Sequence, residues 1–236
     1  MKKFGFIFFA VALVIGLAAS NFFSFGQVGE RFVKFSMDFG TISGNGNVVT
    51  ETRDVSGFDS VDVGGIFQVE IVTGKDFNVQ VDADENLISH VITEVRNGTL
   101  YIETDHKIKS KKGLKVRIAA PSISTVDTSG VAAVSLSGVK SDALSIRSSG
   151  ASKVSASGET AELNVDISGA TKVNADSLSV TNAKIEASGA SFVAVKVAGE
   201  LNSDLSGASR VEYVGIPGSI ITKKSGASSV NAKRSE

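Results

Sequence analysis

Apolar and polar residues alternate along most of the second half of the chain, and a period of two indicates β-strands. The alternation is clearest just upstream of recurring Ser-Gly pairs, as in Leu144 and Ile146 before Ser149. The next two copies repeat it in the same register. Each such segment is predicted to bury one side and expose the other.

The Ser-Gly pair, followed by Ala or once by Val, recurs at intervals of 20, 19, 20, 18 and 19 residues. A valine lies five residues after every one of these serines. The serines are Ser129, Ser149, Ser168, Ser188, Ser206 and Ser225, and the valines are Val134, Val154, Val173, Val193, Val211 and Val230. This constancy indicates a repeat protein in which each unit is one structural coil.

Each unit is predicted to be a strand, a Ser-Gly-Ala corner, a second strand and a looser turn. No single unit can bury its own apolar side, so neighbouring units must stack. The fold class is therefore all-β, a single-stranded right-handed parallel β-helix, or solenoid, with about 19 residues per coil in the C-terminal half. The glycine is expected to supply a positive φ at the corner. Neither a hexapeptide period nor the pattern of leucine-rich repeats is present.

Residues 41–124 contain alternating segments without the corner motif and are predicted to form irregular coils that begin the same column. Asp84 to Leu87 is interpreted as the start of a short helix that reaches His90, and Asn97-Gly98 as a hairpin turn. The predicted strands contain Val61 and Val63, Phe67 to Ile71, Val79 and Val81, and Leu114 to Ile118.

Lys2 and Lys3 followed by an apolar run from Phe4 to Ala19 are typical of a signal peptide. We assign residues 1–20 to the signal peptide, 21–40 to a linker and 41–236 to the β-helix, with the Ser-Gly-Ala repeats in 125–236. An uncleaved anchor is the alternative. The expected location is exported, whether periplasmic, on the outer surface or secreted, with membrane contact only through the N-terminal segment. The charged tail from Lys233 to Glu236 is expected to shield the last open strand edge.

A formal charge of -1 argues against nucleic acid as a partner, because nucleic-acid-binding domains usually carry a clear basic excess. The chain has no cysteine, which excludes disulfides, thiol catalysis and cysteine-ligated metals. We expect no cofactor.

A charged residue lies two positions before each repeat serine. Stacking predicts one ladder of charges, which is interpreted either as a solvated face or as a cation site made by its carboxylates. The ladder comprises Asp127, Arg147, Asp166, Glu186, Asp204 and Lys223. The repeat serines are interpreted either as a hydroxyl ladder that binds sugar or, as we expect, as groups that satisfy the corner backbone. A basic stretch from Lys107 to Arg117 is interpreted as a solvated loop or as a contact for anionic lipid or polysaccharide.

The two histidines, His90 and His106, have no metal-ligand spacing and no serine and aspartate arranged around them. Both are expected to be surface residues. The sequence thus predicts no catalytic residues and no metal ligands, and it identifies no ligand-binding residues.

Several segments resemble the family called "putative auto-transporter adhesin, head GIN domain", over roughly residues 41–231. The segments are Gly44-Asn45-Gly46-Asn47, Arg53-Asp54-Val55 with Phe58, Val61-Asp62-Val63-Gly64-Gly65-Ile66-Phe67, Asp84-Glu85-Asn86-Leu87 and the repeated Ser-Gly-Ala-Ser. The resemblance implies a right-handed parallel β-helix outside the cytoplasm and an adhesin-like role. It brings no catalytic residues.

The leading hypothesis is an exported, non-catalytic binding or structural module of the cell envelope that uses the outer faces of a rigid solenoid. Its expected partners are a glycan, another envelope protein or a further copy of itself. The alternative is a polysaccharide-acting, lyase-like β-helix enzyme, with Asp166, Glu186 and Asp204 holding a cation and Arg147 as the base.

Overall fold

The computed structural model describes residues 40–233. The predicted signal peptide, the linker up to residue 39 and the last three residues of the tail lie outside this range. Within it, strands are joined by turns and by one short 3-10 turn, Ile88–His90. The strands are β1 Ile42–Ser43, β2 Val48–Arg53, β3 Ser60–Gly65, β4 Gln68–Thr73, β5 Asn78–Asp84, β6 Val91–Arg96, β7 Thr99–Thr104, β8 Ile108–Lys109, β9 Lys115–Ala120, β10 Thr125–Gly130, β11 Ala133–Gly150, β12 Lys153–Gly169, β13 Lys172–Ala187, β14 Phe192–Val197, β15 Glu200–Leu205, β16 Arg210–Val214, β17 Ser219–Lys224 and β18 Ser229–Ala232.

The strands stack in parallel into a β-solenoid, which confirms the predicted fold class. The strands that lead into the Ser-Gly corner form one face, called here the upstream face. It contains β7, β3, β10, the second halves of β11, β12 and β13, then β15 and β17. The strands that leave the corner form the downstream face. It contains β9, β4, the first halves of β11, β12 and β13, then β14, β16 and β18.

A third, short parallel face occupies the place where the sequence predicts a looser turn. Val139 to Ser141 pairs with Gly158 to Thr160, and this segment pairs in turn with Leu178 to Val180. Val139, Leu178 and Val180 are buried. Backbone pairing therefore continues around most of each coil, and the supposed turn contributes to the core.

The corner itself is hydrogen-bonded from coil to coil. At each level the residue after the glycine donates its N–H to the carbonyl of the glycine one level below, as from Ala190 to Gly169 at 2.8 Å and from Ala208 to Gly189 at 2.7 Å. Buried backbone groups need such partners, and the stacked copy supplies them at the bend. The repeat register is thus fixed at the corners as well as along the strands.

Glycine is required in this column for two reasons. Each corner glycine has a positive φ, 79° at Gly189, and a Cβ there would lie 2.5 Å from the carbonyl oxygen of Gly169. Within residues 40–233 the column also includes Gly65, which the repeat motif does not reveal because its corner reads Gly-Gly-Ile. The column comprises Gly65, Gly130, Gly150, Gly169, Gly189, Gly207 and Gly226.

Apolar side chains stack in columns inside the coils. The repeat valines pair level by level from Val134 to Val230, and all except the last are buried. On the upstream face the column Val61, Val126, Ile146, Val165 and Ile185 is 2% exposed or less. Because every level shields the one beneath it, burial of these columns supplies the main stabilisation.

The N-terminal end is closed by antiparallel strands. β6 and β7 form a hairpin beside β3, while β5 and β2 extend the downstream face beyond β9. The predicted hairpin turn is confirmed, since Asn97 and Gly98 have φ of 51° and 78°. The predicted helix is only the 3-10 turn that ends at His90. These antiparallel strands make the N-terminal coils irregular, as the sequence predicts.

At the other end the last coil is open within the described range. Ile220 stacks on the fully buried Leu201 yet is 45% exposed, because no further level covers it among residues 40–233. Lys233 lies 3.2 Å from Asp176 through its ammonium group. The remainder of the tail predicted to shield this edge lies outside the described residues.

Replacing a stacked glycine is expected to cost more than replacing an unstacked one. Gly113 has φ 82°, and a Cβ on it would meet no other atom within 4 Å, so Gly113→Ala adds backbone strain alone, about 1–2 kcal/mol. Gly189→Ala adds a clash with Gly169 and should lose about 2–5 kcal/mol. Urea unfolding of both variants measures the difference, and equal losses would contradict stacking at the corner.

Candidate functional site

The predicted charge ladder is one straight row on the upstream face, called here the charged row. Strand register aligns Asp127 with Arg147, Arg147 with Asp166, and the later members in the same way. The structure adds Asp62 at the N-terminal end, because β3 pairs with β10. The full row is Asp62, Asp127, Arg147, Asp166, Glu186, Asp204 and Lys223.

Arg147 is held by its neighbour in the row. Its Nε and Nη2 donate to the two carboxylate oxygens of Asp127 at 2.6 and 2.9 Å. This two-point contact raises the pKa of Arg147 above its ordinary value, with Asp166 and Asp62 contributing further. The guanidinium is therefore fixed in place as a permanent cation.

The ionised form of Asp62 is electrostatically unfavourable at this position in the charged row. Burial raises its pKa first, and the charges of Asp127 and Glu103 raise it further, while Arg147 lowers it. One cation thus serves several carboxylates at this end of the charged row. The ionised form of Asp62 is stabilised less than it would be in water.

Two shallow grooves follow the charged row beside the repeat serines. One, of about 360 Å³, is lined by Asp62, Asp127, Arg147 and Asp166 with adjoining hydroxyls. The other, of about 210 Å³, continues past Glu186 to Asp204. Both are open to solvent, and of the carboxylates in the second groove Glu186 is paired with Lys184 at 2.8 Å.

The repeat serines lie at the surface and do not perform the role expected of them. From the third corner onward, the serine or threonine three residues later donates its hydroxyl to the carbonyl of the repeat serine, as from Ser191 to Ser188 and from Ser209 to Ser206, both at 2.8 Å, and all of these donors except Ser228 are buried. Thr171 bonds Ser168 in the same way at 3.3 Å. The fourth residue of Ser-Gly-Ala-Ser, not the first, satisfies the corner backbone.

A second row, on the downstream face, carries the opposite charge and is called here the basic row. Lys153, Lys172, Phe192 and Arg210 occupy four successive levels, four residues after the repeat serines. The Lys172 ammonium lies 5.1 Å from the centre of the Phe192 ring, a cation–π contact. The three cationic side chains are exposed.

Sequence reasoning missed the basic row because only three of the six equivalent repeat positions carry a cation, whereas all six repeat positions of the charged row are charged. The register of the repeat is the signal that aligns them. The basic stretch that the sequence singled out is partly neutralised, and in the basic row Arg210 lies 3.8 Å from the carboxylate of Glu212. Lys115 lies 2.8 Å from Glu70, and Arg117 lies 2.8 Å from Asp82.

The two histidines, expected to be surface residues without metal-ligand spacing, lie together at the N-terminal end. The Nδ1 atoms of His90 and His106 lie 3.1 and 2.8 Å from Oδ1 of Asp105. Burial raises the pKa of Asp105, but the hydrogen bonds from His106 and His90 outweigh it, so the net pKa is below its ordinary value. We call these three residues the histidine cluster.

Residues 57–217 match the family model "Putative auto-transporter adhesin, head GIN domain". The match extends from the first coils past the fifth Ser-Gly corner, at Ser206, and includes most members of both rows. The chain belongs to this family. The resemblance seen in the sequence is thereby confirmed.

Solved structures share the fold of this head GIN domain. A "putative adhesin" from Bacteroides fragilis superposes with a TM-score of 0.68 at 19% identity, covering 81% of this chain and 100% of that one. One from Parabacteroides merdae gives 0.53 at 17% identity, covering 82% and 99%. A "putative lipid binding protein" from Parabacteroides distasonis gives 0.52 at 19% identity, covering 83% and 100%. At these identities the likeness shows the fold alone.

No curated protein matches the sequence of this head GIN domain. Across residues 40–233, no helix has the length and apolar character to cross a bilayer.

Removing the charge of Asp62 should stabilise the domain in a pH-dependent way. Because the folded-state pKa is raised, ionisation of Asp62 costs stability above that pKa and nothing below the ordinary value of about 4. Asp62→Asn should therefore raise the free energy of unfolding at pH 7 by about 0.5 kcal/mol or less, given partial solvent screening, and leave it unchanged at pH 3. Chemical unfolding at both pH values measures this.

Asp142 is an exposed aspartate in β11 of the same solenoid, and it provides the matched control. Asp142→Asn should give a smaller change at pH 7 than Asp62→Asn. A loss of stability in Asp62→Asn at pH 7 would contradict the electrostatic account of the charged row.

Proposed function

We propose that the protein is an exported, non-catalytic, adhesin-like module of the cell envelope that binds acidic glycan chains along the basic row. The observation that carries the proposal is the alignment of Lys153, Lys172 and Arg210 around Phe192 at successive levels. Family membership supports the adhesin-like role.

The spacing of the basic row suits an extended polymer. Stacked levels are about 4.8 Å apart, so Lys153 and Lys172 lie one level apart and Arg210 lies two levels beyond Lys172, in a line that one extended chain can follow. Ser155 and Asn174, two residues beyond Lys153 and Lys172, face the same side of the strand and offer a hydroxyl and an amide for sugar hydroxyls. Each contact is weak, and several made at once by one polymer add up.

The charged row supports the assignment of glycan binding to the basic row, because the two rows carry opposite charges. Its carboxylates from Asp166 to Asp204 repel an anionic polymer, so they restrict it to the downstream face. The two rows also complement each other between copies, which makes self-association the competing outcome in solution.

The lyase-like alternative assigns Arg147 as the proton acceptor. The contact with Asp127 argues against this role, because the raised pKa of Arg147 keeps it protonated. The carboxylates of Asp166, Glu186 and Asp204 lie in an open groove, where water is not excluded from a reaction. A non-catalytic module accounts better for both features.

The binding assignment predicts a row-specific loss of affinity. The triple variant Lys153→Gln, Lys172→Gln and Arg210→Gln should bind acidic polysaccharide about tenfold more weakly, since three exposed charge contacts contribute about 0.5 kcal/mol each. Binding should also fall as salt rises. Surface plasmon resonance on immobilised acidic and neutral glycans measures both effects.

The charged-row variant Asp166→Asn, Glu186→Gln and Asp204→Asn is the matched control and should keep or increase this affinity. Anionic lipid vesicles test the class of ligand named for the Parabacteroides distasonis protein. Equal affinity of both triple variants, or binding only to vesicles, would contradict the proposal. A dimer that dissociates in either variant would instead identify the rows as a self-association surface.

The proposed export predicts a processed N-terminus. Expression in a bacterial host should yield protein in the exported fraction that begins at or near Asn21, after the small residues Ala18 to Ser20. N-terminal sequencing of that fraction measures it. An intact Met1 on membrane-bound protein would show the anchor instead.

A further inference from the structure

The antiparallel pairing of β6 with β7 brings the histidine cluster together. Val91, the first residue of β6, pairs with Thr104, the last residue of β7. The next residues outward, His90 and Asp105, therefore face each other, and the Asp105 N–H donates to the His90 carbonyl at 3.2 Å. The backbone at this position is held by the hairpin and by the 3-10 turn that ends at His90.

The three side chains converge on one point. One ligand atom from each of His90, Asp105 and His106 lies within 4.8 Å of the other two. The imidazole rings have centroids 4.9 Å apart and cross at 70°. The side chains are 27%, 38% and 29% exposed, so they are partly shielded yet reachable from solvent.

This donor set fits a transition-metal ion. Ligand atoms on a tetrahedral zinc, each about 2.0–2.1 Å from the metal, lie roughly 3.3 Å from one another. The two nitrogen-to-carboxylate separations of 3.1 and 2.8 Å need to widen by only a few tenths of an ångström. Two imidazoles favour zinc over calcium or magnesium, which prefer oxygen ligands.

We propose that His90, Asp105 and His106 bind one zinc ion, with the fourth coordination position open. Each imidazole contributes Nδ1 and the carboxylate contributes Oδ1. The open position takes water or a donor atom from a bound partner. The site lies at the capped end of the solenoid and is independent of glycan binding along the basic row.

Zinc titration of the tag-free protein tests the site. Isothermal titration calorimetry with zinc chloride should give one ion per chain, and calcium chloride should give no comparable heat. His90→Gln and His106→Gln should each weaken zinc binding about tenfold or more, because each removes a ligand. Asp127→Asn, which removes a carboxylate from the charged row, should leave zinc affinity unchanged.

The histidine NMR spectrum provides a readout that needs no variant. The chain contains two histidines, so both imidazole signals should shift together and saturate at one equivalent of zinc. Unchanged imidazole signals would overturn the proposal. So would zinc affinity that stays the same in His90→Gln and His106→Gln variants with native circular dichroism.

Discussion

The structure depends on one repeated hydrogen bond, from the N–H after each corner glycine to the carbonyl of the glycine one level below. It fixes the register of every coil at the tightest bend, where a side chain would separate the levels. The glycine column therefore serves both as a turn and as a contact surface. With the corners in register, valines stack on valines and the interior closes around apolar columns.

The same register determines what the outside can do. A residue type that recurs once per coil becomes a straight row with a spacing of about 4.8 Å. The upstream face thus carries mainly carboxylates, and the downstream face carries cations around Phe192. The proposed binding of an acidic polymer needs no pocket, because a rigid column already presents its charges in line.

The sequence was sufficient to predict the coil, the corner and the charged row, because all three recur in fixed register with the Ser-Gly-Ala motif. The sequence was insufficient at positions where the residue type changes from coil to coil while the backbone geometry stays the same. Gly65 was missed because no serine precedes it, and the third face was interpreted as a turn because Val139 and Leu178 do not recur in type. The histidine cluster was not predicted for a different reason. His90 and Asp105 are 15 residues apart, and only the register of β6 on β7 brings them together.

Engineered disulfides test the vertical register most directly, because the chain has no native cysteine. Ser149 and Ser168 are paired at adjacent levels, whereas Ser188 lies one level further on. With the corners stacked in register, Ser149→Cys with Ser168→Cys should oxidise to an intramolecular disulfide, because adjacent levels lie within the usual Cα separation of about 4.4–6.8 Å. Ser149→Cys with Ser188→Cys, two levels or roughly 9.6 Å apart, should stay reduced under the same conditions. Mass spectrometry of the non-reduced proteins distinguishes them, and equal oxidation of both pairs would contradict the stacked register.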